Sequence, residues 1–509
     1  MNPLDAHRLV PKTPYTSYAE YLSALGESAV DKALAISPDD VIAVVRSAGL
    51  RGRGGAGFPT GVKWAGVRAH PCPTKYVVCN AAEGEPGTFK DRYLLRRNPY
   101  SLLSGMLIAA HAIGAEKGFI AIKASFTLEI ERLRAAIAEM ESRGALQGFS
   151  FKIVEGPDEY LFGEEKALLN VIEGEAPMPR DADSPPYEVG LFATQGSPNP
   201  ALVNNVETYS HIPSILVHGA DSFRAIGTAD TPGTVIFTLS GDIARPGVYE
   251  LPAGIPLRWL FNEVGGGPRP GRTLKAALSG VSSGVITSDE FDTKAEFGAL
   301  LEIGAGLGSA GFMVFDDQTS IPRLAQAVAR FLYVESCNQC SSCKLNLGIA
   351  STTLDELFDP ARRGLDAPER ALLAARRAPQ ANRCYLPVEG SVVIPSLIRR
   401  FMPEFERQSD AKTPAEVRAG GPLTIAKIVD FDEATRTFTF DERQALKLPN
   451  WTYREPAVEE EEPPPPSTDI AVLLDPDVSA GLTQLTKGKD IDRQVNDILR
   501  AWIEKKAKR

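Results

Sequence analysis

The sequence predicts an α/β protein built in three successive parts: an alternating α/β domain, a small α+β module and a helical region. Three observations carry that prediction. Between about residues 76 and 170, short apolar runs alternate with longer segments of helical period, the order that builds a parallel sheet flanked by helices. From about Gly233 the texture changes to strand-like runs set between glycine-rich turns. From Ile321 the period is helical, and that region carries four of the chain's six cysteines. Several domains are expected of 509 residues, because a single core stops growing near about 250–300 residues.

Composition excludes some partners. Hydrophobic residues are 43% and charged residues 24%, as in ordinary soluble domains. A net charge of −10 argues against nucleic acid, which requires a basic face. The opening Met1-Asn-Pro-Leu-Asp-Ala-His7 lacks the basic-then-apolar layout of a signal peptide. The longest apolar run, about Leu102 to Ala115, is interrupted by Ser104, Gly105 and His111 and is too short to span a bilayer. No direct membrane insertion is expected, and the free thiols described below suit the reducing cytoplasm. Any attachment to a membrane would run through a partner.

Taken in order, residues 1–38 read as an irregular lead-in with short helical pieces. Asp39 to Leu50 reads as a helix, with Asp39 and Asp40 at its N-terminus and Val41, Val44 and Val45 on one face. It runs into Arg51-Gly-Arg-Gly-Gly-Ala-Gly-Phe-Pro-Thr-Gly-Val-Lys63. Gly52, Gly54, Gly55 and Gly57 let the backbone approach a ligand and aim successive N–H groups at a phosphate, with Arg51, Arg53 and Lys63 adding positive charge. The formal match to the dinucleotide fingerprint fails, because a helix and not a strand precedes it. A second match, from Gly306 to Gly311, leads into strand-like Phe312–Phe315 and reads as a turn.

Tyr76-Val-Val-Cys79 reads as a buried strand that delivers Asn80 through Arg92 at its C-terminal end, where α/β sheets bind ligands. Cys72 and Cys79 read as ordinary thiols, Cys79 buried. Gly118–Lys123 and Phe151–Val154 read as further strands, and Thr127–Gly144 as a helix with Ile130, Leu133, Ile137 and Met140 on one face. Tyr160-Leu-Phe-Gly163-Glu164-Glu165 opens another helix, where paired carboxylates serve either a site or simply the helix dipole. A Pro-rich loop through Tyr187 and a polar turn, Val203 to Thr208, close the domain. Thr234–Ser240 starts the α+β module. Leu324, Val328, Phe331 and Leu332 then form one helical stripe leading to Glu335, and helical sequence continues to about Glu404. Past Arg407 lies a less regular segment, then an acidic and proline-rich linker, Glu459 to Pro466. A last helix, about Ile491 to Lys506, either folds back or docks on a partner.

The cysteines carry the sharpest signal. Cys337, Cys340 and Cys343 lie two residues apart, with Cys384 downstream. Three closely spaced thiolates with a distant fourth suit the corners of a [4Fe–4S] cube. Structural zinc more often uses two separated pairs.

Five motifs in order now resemble a known family. They are Gly52 through Trp64, Asn80 through Arg92, Gly163-Glu-Glu165, Asn204-Asn-Val-Glu-Thr208 and Glu335-Ser-Cys-x-x-Cys-x-x-Cys343. Together they resemble the NADH-oxidising flavoprotein subunit of respiratory complex I, a module shared with NAD-linked hydrogenases and formate dehydrogenases. The resemblance covers about residues 40–410. It implies a Rossmann-like FMN and NADH domain over 39–230, a β-grasp soluble-ligand-binding-like module over 231–320 and a helical iron–sulfur domain over 321–410. The lead-in 1–38, an irregular extension 411–454, the linker 455–469 and a helical tail 470–509 complete the chain. It implies that Gly52, Gly54, Gly55, Gly57, Lys63, Asn80, Glu83, Tyr160, Gly163, Glu164, Asn204, Asn205 and Thr208 frame FMN. Phe58 would face the adenine, with Glu165 near the nicotinamide and Glu85 near the NADH ribose as the catalytic pair. Cys337, Cys340, Cys343 and Cys384 would hold the cluster. The implied partners are other redox subunits, a thioredoxin-like [2Fe–2S] subunit and a multi-cluster iron–sulfur subunit, with quinone as the distant acceptor.

The chain departs from the family's pattern at several positions. Ala82 stands in place of an aspartate, Gly66 of a second adenine-facing aromatic, Ser184 of a lysine and Lys166 of a threonine. Asn338 replaces a glycine beside the cluster, and Ser341-Ser342 replaces Thr-Pro. These changes fall mainly in the nucleotide pocket and define a rival expectation, an FMN and iron–sulfur subunit served by another donor such as a ferredoxin. A non-enzymatic scaffold is the third.

Overall fold

Each strand expected before residue 160 is present in the computed structural model, which describes residues 2–181, 189–361, 366–418 and 420–454. Strands β1 (Tyr76–Ala81), β2 (Lys117–Lys123), β3 (Ser150–Gly156) and β4 (Ala201–Asn205) form one sheet in the order β3-β2-β1-β4, all parallel. The register sets Cys79 beside Asn204 and Asn80 beside Asn205, so the polar ends of β1 and β4 open on the same edge. The helix Pro99–Ile113, buried almost throughout, packs beneath the sheet against the helix Val206–His218. A Cβ at Gly105 would come within 2.0 Å of the Tyr209 carbonyl oxygen, which explains the glycine in that apolar run.

β5 (Thr234–Gly241), β6 (Gly247–Pro252), β7 (Leu274–Ser279), β8 (Ile286–Thr287) and β9 (Gly311–Asp316) form a mixed second sheet, ordered β6-β5-β9-β7-β8. Its core of Phe237, Leu260, Phe261 and Phe312 is separate from the first. Gly306–Gly311 is the turn before β9, as expected. The helical region comprises Ile321–Glu335, Ser341–Glu356, Ala367–Arg377, Leu386–Arg400 and Met402–Asp410 around a third core.

Two parts differ from the sequence-based expectation. Val203–Thr208 is no turn: β4 ends at Asn205, whose side chain accepts from the Glu207 N–H at 3.0 Å and starts the helix Val206–His218. Its apolar run is only Ala201–Val203, and Pro213 inside the helix breaks the period. The extension after residue 410 is also ordered locally. β10 (Ile428–Asp432) and β11 (Thr437–Phe440) form an antiparallel hairpin whose Ile428 and Phe438 pack on Phe89. Arg92 donates to the Val429 carbonyl at 3.0 Å, and Arg96 pairs with Asp430 at 2.6 Å. Farther on, Lys447 pairs with Glu335 at 2.8 Å, so one short segment joins the α/β domain to the cysteine region.

The lead-in is not peripheral either. Leu9, Tyr18, Tyr21 and Leu25 enter the first core, and Glu250 of β6 accepts from the N–H groups of Leu9 and Val10. Ser184, most of the Pro-rich loop, the acidic linker and the Ile491–Lys506 helix lie outside the described residues. Among the described residues no helix is long and apolar enough to cross a membrane.

Candidate functional site

The helix Pro38–Ala48 ends at Gly49 in the left-handed region, φ +69°, and the chain then loops back to the helix Thr60–Ala69. The Gly52 N–H donates to the Phe58 carbonyl at 2.9 Å, closing the loop. Gly57 has φ +63°, and a Cβ there would lie 2.7 Å from the Phe297 ring. A Cβ on Gly54 would press Asn205 at 3.1 Å, whereas Gly55, at φ +128°, faces open space. Among the described residues the N–H groups of Gly54, Gly55 and Ala56 donate to no protein acceptor. Adjacent free amides on a glycine loop fit an anionic phosphate. The Arg53 N–H donates to Thr208 Oγ1 at 2.8 Å. Neither arginine serves as expected: Arg51 pairs with Asp230 at 2.8 Å, and buried Arg53 donates to the Pro232 and Thr234 carbonyls. Both brace the loop against the second sheet, because those acceptors lie beside it.

At the end of β1, Asn80 Nδ2 donates to the Gly163 carbonyl at 2.8 Å while its Oδ1 accepts from the Ala82 N–H. Glu83 is buried, and its two oxygens accept from the Asp91 N–H and Arg92 Nε, each at 2.9 Å. Lys90, 1% exposed, lies 2.8 Å from both Asp91 and Glu207 and donates to Asn205 Oδ1 at 3.0 Å. Burial acts to raise the Glu207 carboxyl, but Lys90 and His211 hold it down at about 2. This ionic network sits directly under the polar edge and fixes Asn205. Lys63 does not stand free: its amine holds Glu165 at 3.0 Å and the Val203 carbonyl at 2.7 Å. Glu164 caps the helix Glu165–Ile172 by accepting from the Ala167 N–H at 2.8 Å, and burial raises its carboxyl to about 7. Asn204, with its amide turned to donate to the Val203 carbonyl, accepts from Trp64 Nε1 at 2.9 Å. Phe58 presents its ring to solvent, 55% exposed, and Gly66 on the next helix faces open space.

The helix Ile321–Glu335 leads directly to the cysteines. Cys337, Cys340, Cys343 and Cys384 line one cavity together with Leu161, Ser336, Asn338, Arg383, Leu386 and Pro387. Asn338 has φ +67°, a conformation that asparagine tolerates better than most residues and that explains its standing where a glycine would serve. The Arg383 N–H donates to Cys340 Sγ at 3.4 Å. Burial raises the Cys343 thiol to about 12, and Cys337 and Cys384 rise with it, so ionised sulfurs here call for cationic ligation. The four cysteines line the same cavity, and among the described residues no group of three or more His, Cys, Asp or Glu is placed to hold a single ion. A cube, which takes one thiolate at each iron, fits such a set.

One short turn joins the two places. Tyr160 donates its hydroxyl to Glu85 at 2.6 Å, Leu161 lines the cysteine cavity, and Gly163 receives Asn80. Glu165 binds Lys63, and Lys166 donates to the Arg383 carbonyl beside Cys384. Glu83, Asn205 and Thr208 are therefore anchored in protein contacts, while the Gly54 and Gly55 amides and Phe58 are open. Sequence reasoning missed Lys447, which no spacing marks, since it reaches Glu335 from 112 residues farther along the chain.

Residues 45–214 match the Nuo51 FMN-binding domain, and residues 236–285 match the SLBB domain. An NADH-quinone oxidoreductase subunit of Rhizobium meliloti (strain 1021) is 42% identical over 67% of this chain and 80% of that protein. NADP-reducing hydrogenase subunit HndC of Solidesulfovibrio fructosivorans is 36% identical over 68% of this chain and 71% of its own. A crystal structure of NAD+-reducing [NiFe]-hydrogenase in the air-oxidized state superposes with a TM-score of 0.68 at 32% identity, covering 79% of this chain and 69% of that one. The chain belongs to the family of NADH-quinone oxidoreductase subunits that carry the Nuo51 FMN-binding domain.

Proposed function

We propose that the chain is the NADH-oxidising subunit of a larger redox complex, taking hydride from NADH onto FMN and passing single electrons through a [4Fe–4S] cluster to partner subunits. When bound, the flavin accepts two electrons as hydride and releases them singly, and the cluster carries one at a time. The observation that carries the reading is the turn Tyr160–Lys166, which touches the glycine-loop site on one side and the cysteine cavity on the other.

In this reading the Gly54 and Gly55 amides take the flavin phosphate, and Asn80, Asn204 and Gly163 border its polar edge. Lys63 orients Glu165 toward the nicotinamide, Phe58 offers a plate for the adenine, and Glu85 meets the ribose. Cys337, Cys340, Cys343 and Cys384 hold the cluster. Residues 39–230, 231–320 and 321–410 act as the flavin, β-grasp and cluster domains. The relatives' names as subunits support redox partners, here a thioredoxin-like [2Fe–2S] subunit and a multi-cluster iron–sulfur subunit on the cytoplasmic side of a membrane.

Mixed anaerobically with NADH in a stopped-flow instrument, the purified protein should bleach its flavin absorbance. No bleaching at millimolar NADH refutes the reading. Buried Ala82 and the open space at Gly66 favour a second reading, an FMN and iron–sulfur subunit reduced by another donor. That reading predicts flavin and cluster contents without measurable NADH affinity.

A further inference from the structure

Two carboxyl groups and one phenol meet where the flavin-side loop, the second sheet and the helical region converge. Glu85 Oε1 accepts from the Val281 N–H at 2.6 Å, and Oε2 accepts from the Tyr160 hydroxyl at 2.6 Å. The same hydroxyl lies 3.3 Å from Oε2 of Glu389, on the helix Leu386–Arg400. A Cβ on Gly280, φ +66°, would fall 2.0 Å from Glu85 Oε1, so the second sheet leaves room for this carboxylate. Glu389 is 9% exposed and lies outside the cysteine cavity.

Counting protons decides the state of the pair. A phenol has one proton and donates to one acceptor, and the shorter bond assigns it to Glu85. Glu389 can then bond the phenol oxygen only by donating a proton of its own. Burial and then the Glu85 charge push the Glu389 carboxyl well above the usual carboxylate range, outweighing the contact with the Tyr160 hydroxyl, which acts to lower it. Burial raises Glu85 as well, opposed by its bonds from Tyr160 and the Val281 N–H. Facing them are Glu335, which accepts from the Tyr160 N–H at 3.2 Å and is paired with Lys447, and Cys343 of the helix Ser341–Glu356. Among the described residues neither Glu85 nor Glu389 makes an ion pair, so no cation offsets a second negative charge.

We propose that Glu389 is a positioning residue: protonated, it donates to Tyr160 and thereby keeps Glu85 ionised and fixed as an acceptor for a ribose hydroxyl. The ribose clause rests on the NADH reading; the proton assignment does not. When the pair loses its proton at alkaline pH, two carboxylates compete for one hydroxyl and Glu85 loses its fixed place.

The test uses full-length protein carrying flavin and cluster. Infrared spectra with hydrogen–deuterium exchange should show a protonated carboxyl at neutral pH that is absent from Glu389→Gln. In the wild type that band should vanish at alkaline pH in step with a roughly tenfold loss of NADH affinity. Glu389→Gln keeps a donor but cannot ionise, so its affinity should stay flat over that range, whereas a merely structural role would shift affinity equally at every pH. A missing band, a band retained by Glu389→Gln, or an alkaline loss of affinity in that variant overturns the proposal. If neither protein binds NADH, the ribose clause falls with the oxidoreductase reading, while the wild-type band and its pH course still uphold or overturn the proton assignment.

Discussion

Replacing Lys447 with methionine removes the cation that neutralises Glu335, two residues before the cluster cysteines. Both side chains are 2% exposed, and the amine lies 3.0 and 2.8 Å from the two carboxylate oxygens. Breaking a buried pair on one side typically costs about 3–5 kcal/mol, because the remaining charge keeps its burial and loses its partner. Glu335 retains bonds from Gln444 Nε2 at 2.9 Å and the Tyr160 N–H at 3.2 Å, which places the expected loss near the lower figure, about 3 kcal/mol. At about 2–4 °C per kcal/mol for a large domain, the thermal midpoint should fall by roughly 6–12 °C. Calorimetry on the wild type and Lys447→Met gives the shift directly. Adding Glu335→Gln removes the stranded charge and should restore more than half of it. A loss under about 1 kcal/mol, or a double variant no more stable than the single one, refutes the reasoning.

Other expectations follow from the same geometry. Lys123 is fully buried, and its amine is lowered by burial and then Lys427 to about 7, against about 10.4 unfolded. Over that window the unfolded chain binds more protons, so stability rises with pH from about 7 to about 10; Lys123→Met should flatten the rise in denaturation midpoints. Gly66→Phe meets open space and supplies a second exposed ring on the helix that follows Phe58, so under the NADH reading NADH should bind about five- to tenfold tighter by equilibrium titration. Cys384→Ser should lose the cluster signal in electron paramagnetic resonance while flavin content stays unchanged.

The strands β1, β2 and β3 were legible because each is a short apolar run followed by polar residues at one edge. The cysteine triplet was legible because Cys337, Cys340 and Cys343 are close in sequence, whereas Cys384 comes to the same cavity from farther along the chain. β4 and the helix after it were hidden by three apolar residues and an internal proline. The hairpin of β10 and β11 was hidden because much of it is exposed, and its packing partner Phe89 lies over 300 residues away in sequence. Local sequence set Lys63 beside the glycine loop and the resemblance pointed to Glu165, but spacing could not show that they bind one another. It also left Arg51 and Arg53 looking like ligand charges, since their acceptors come from the second sheet.

The most direct test is one anaerobic NADH titration of the purified protein, followed by flavin absorbance and cluster paramagnetic resonance in the same samples. The account predicts that the flavin bleaches and the cluster signal grows together in the wild type, and that Cys384→Ser keeps the bleaching but loses the signal. A cluster that stays oxidised while the flavin is fully bleached would contradict the turn Tyr160–Lys166 as the passage between them.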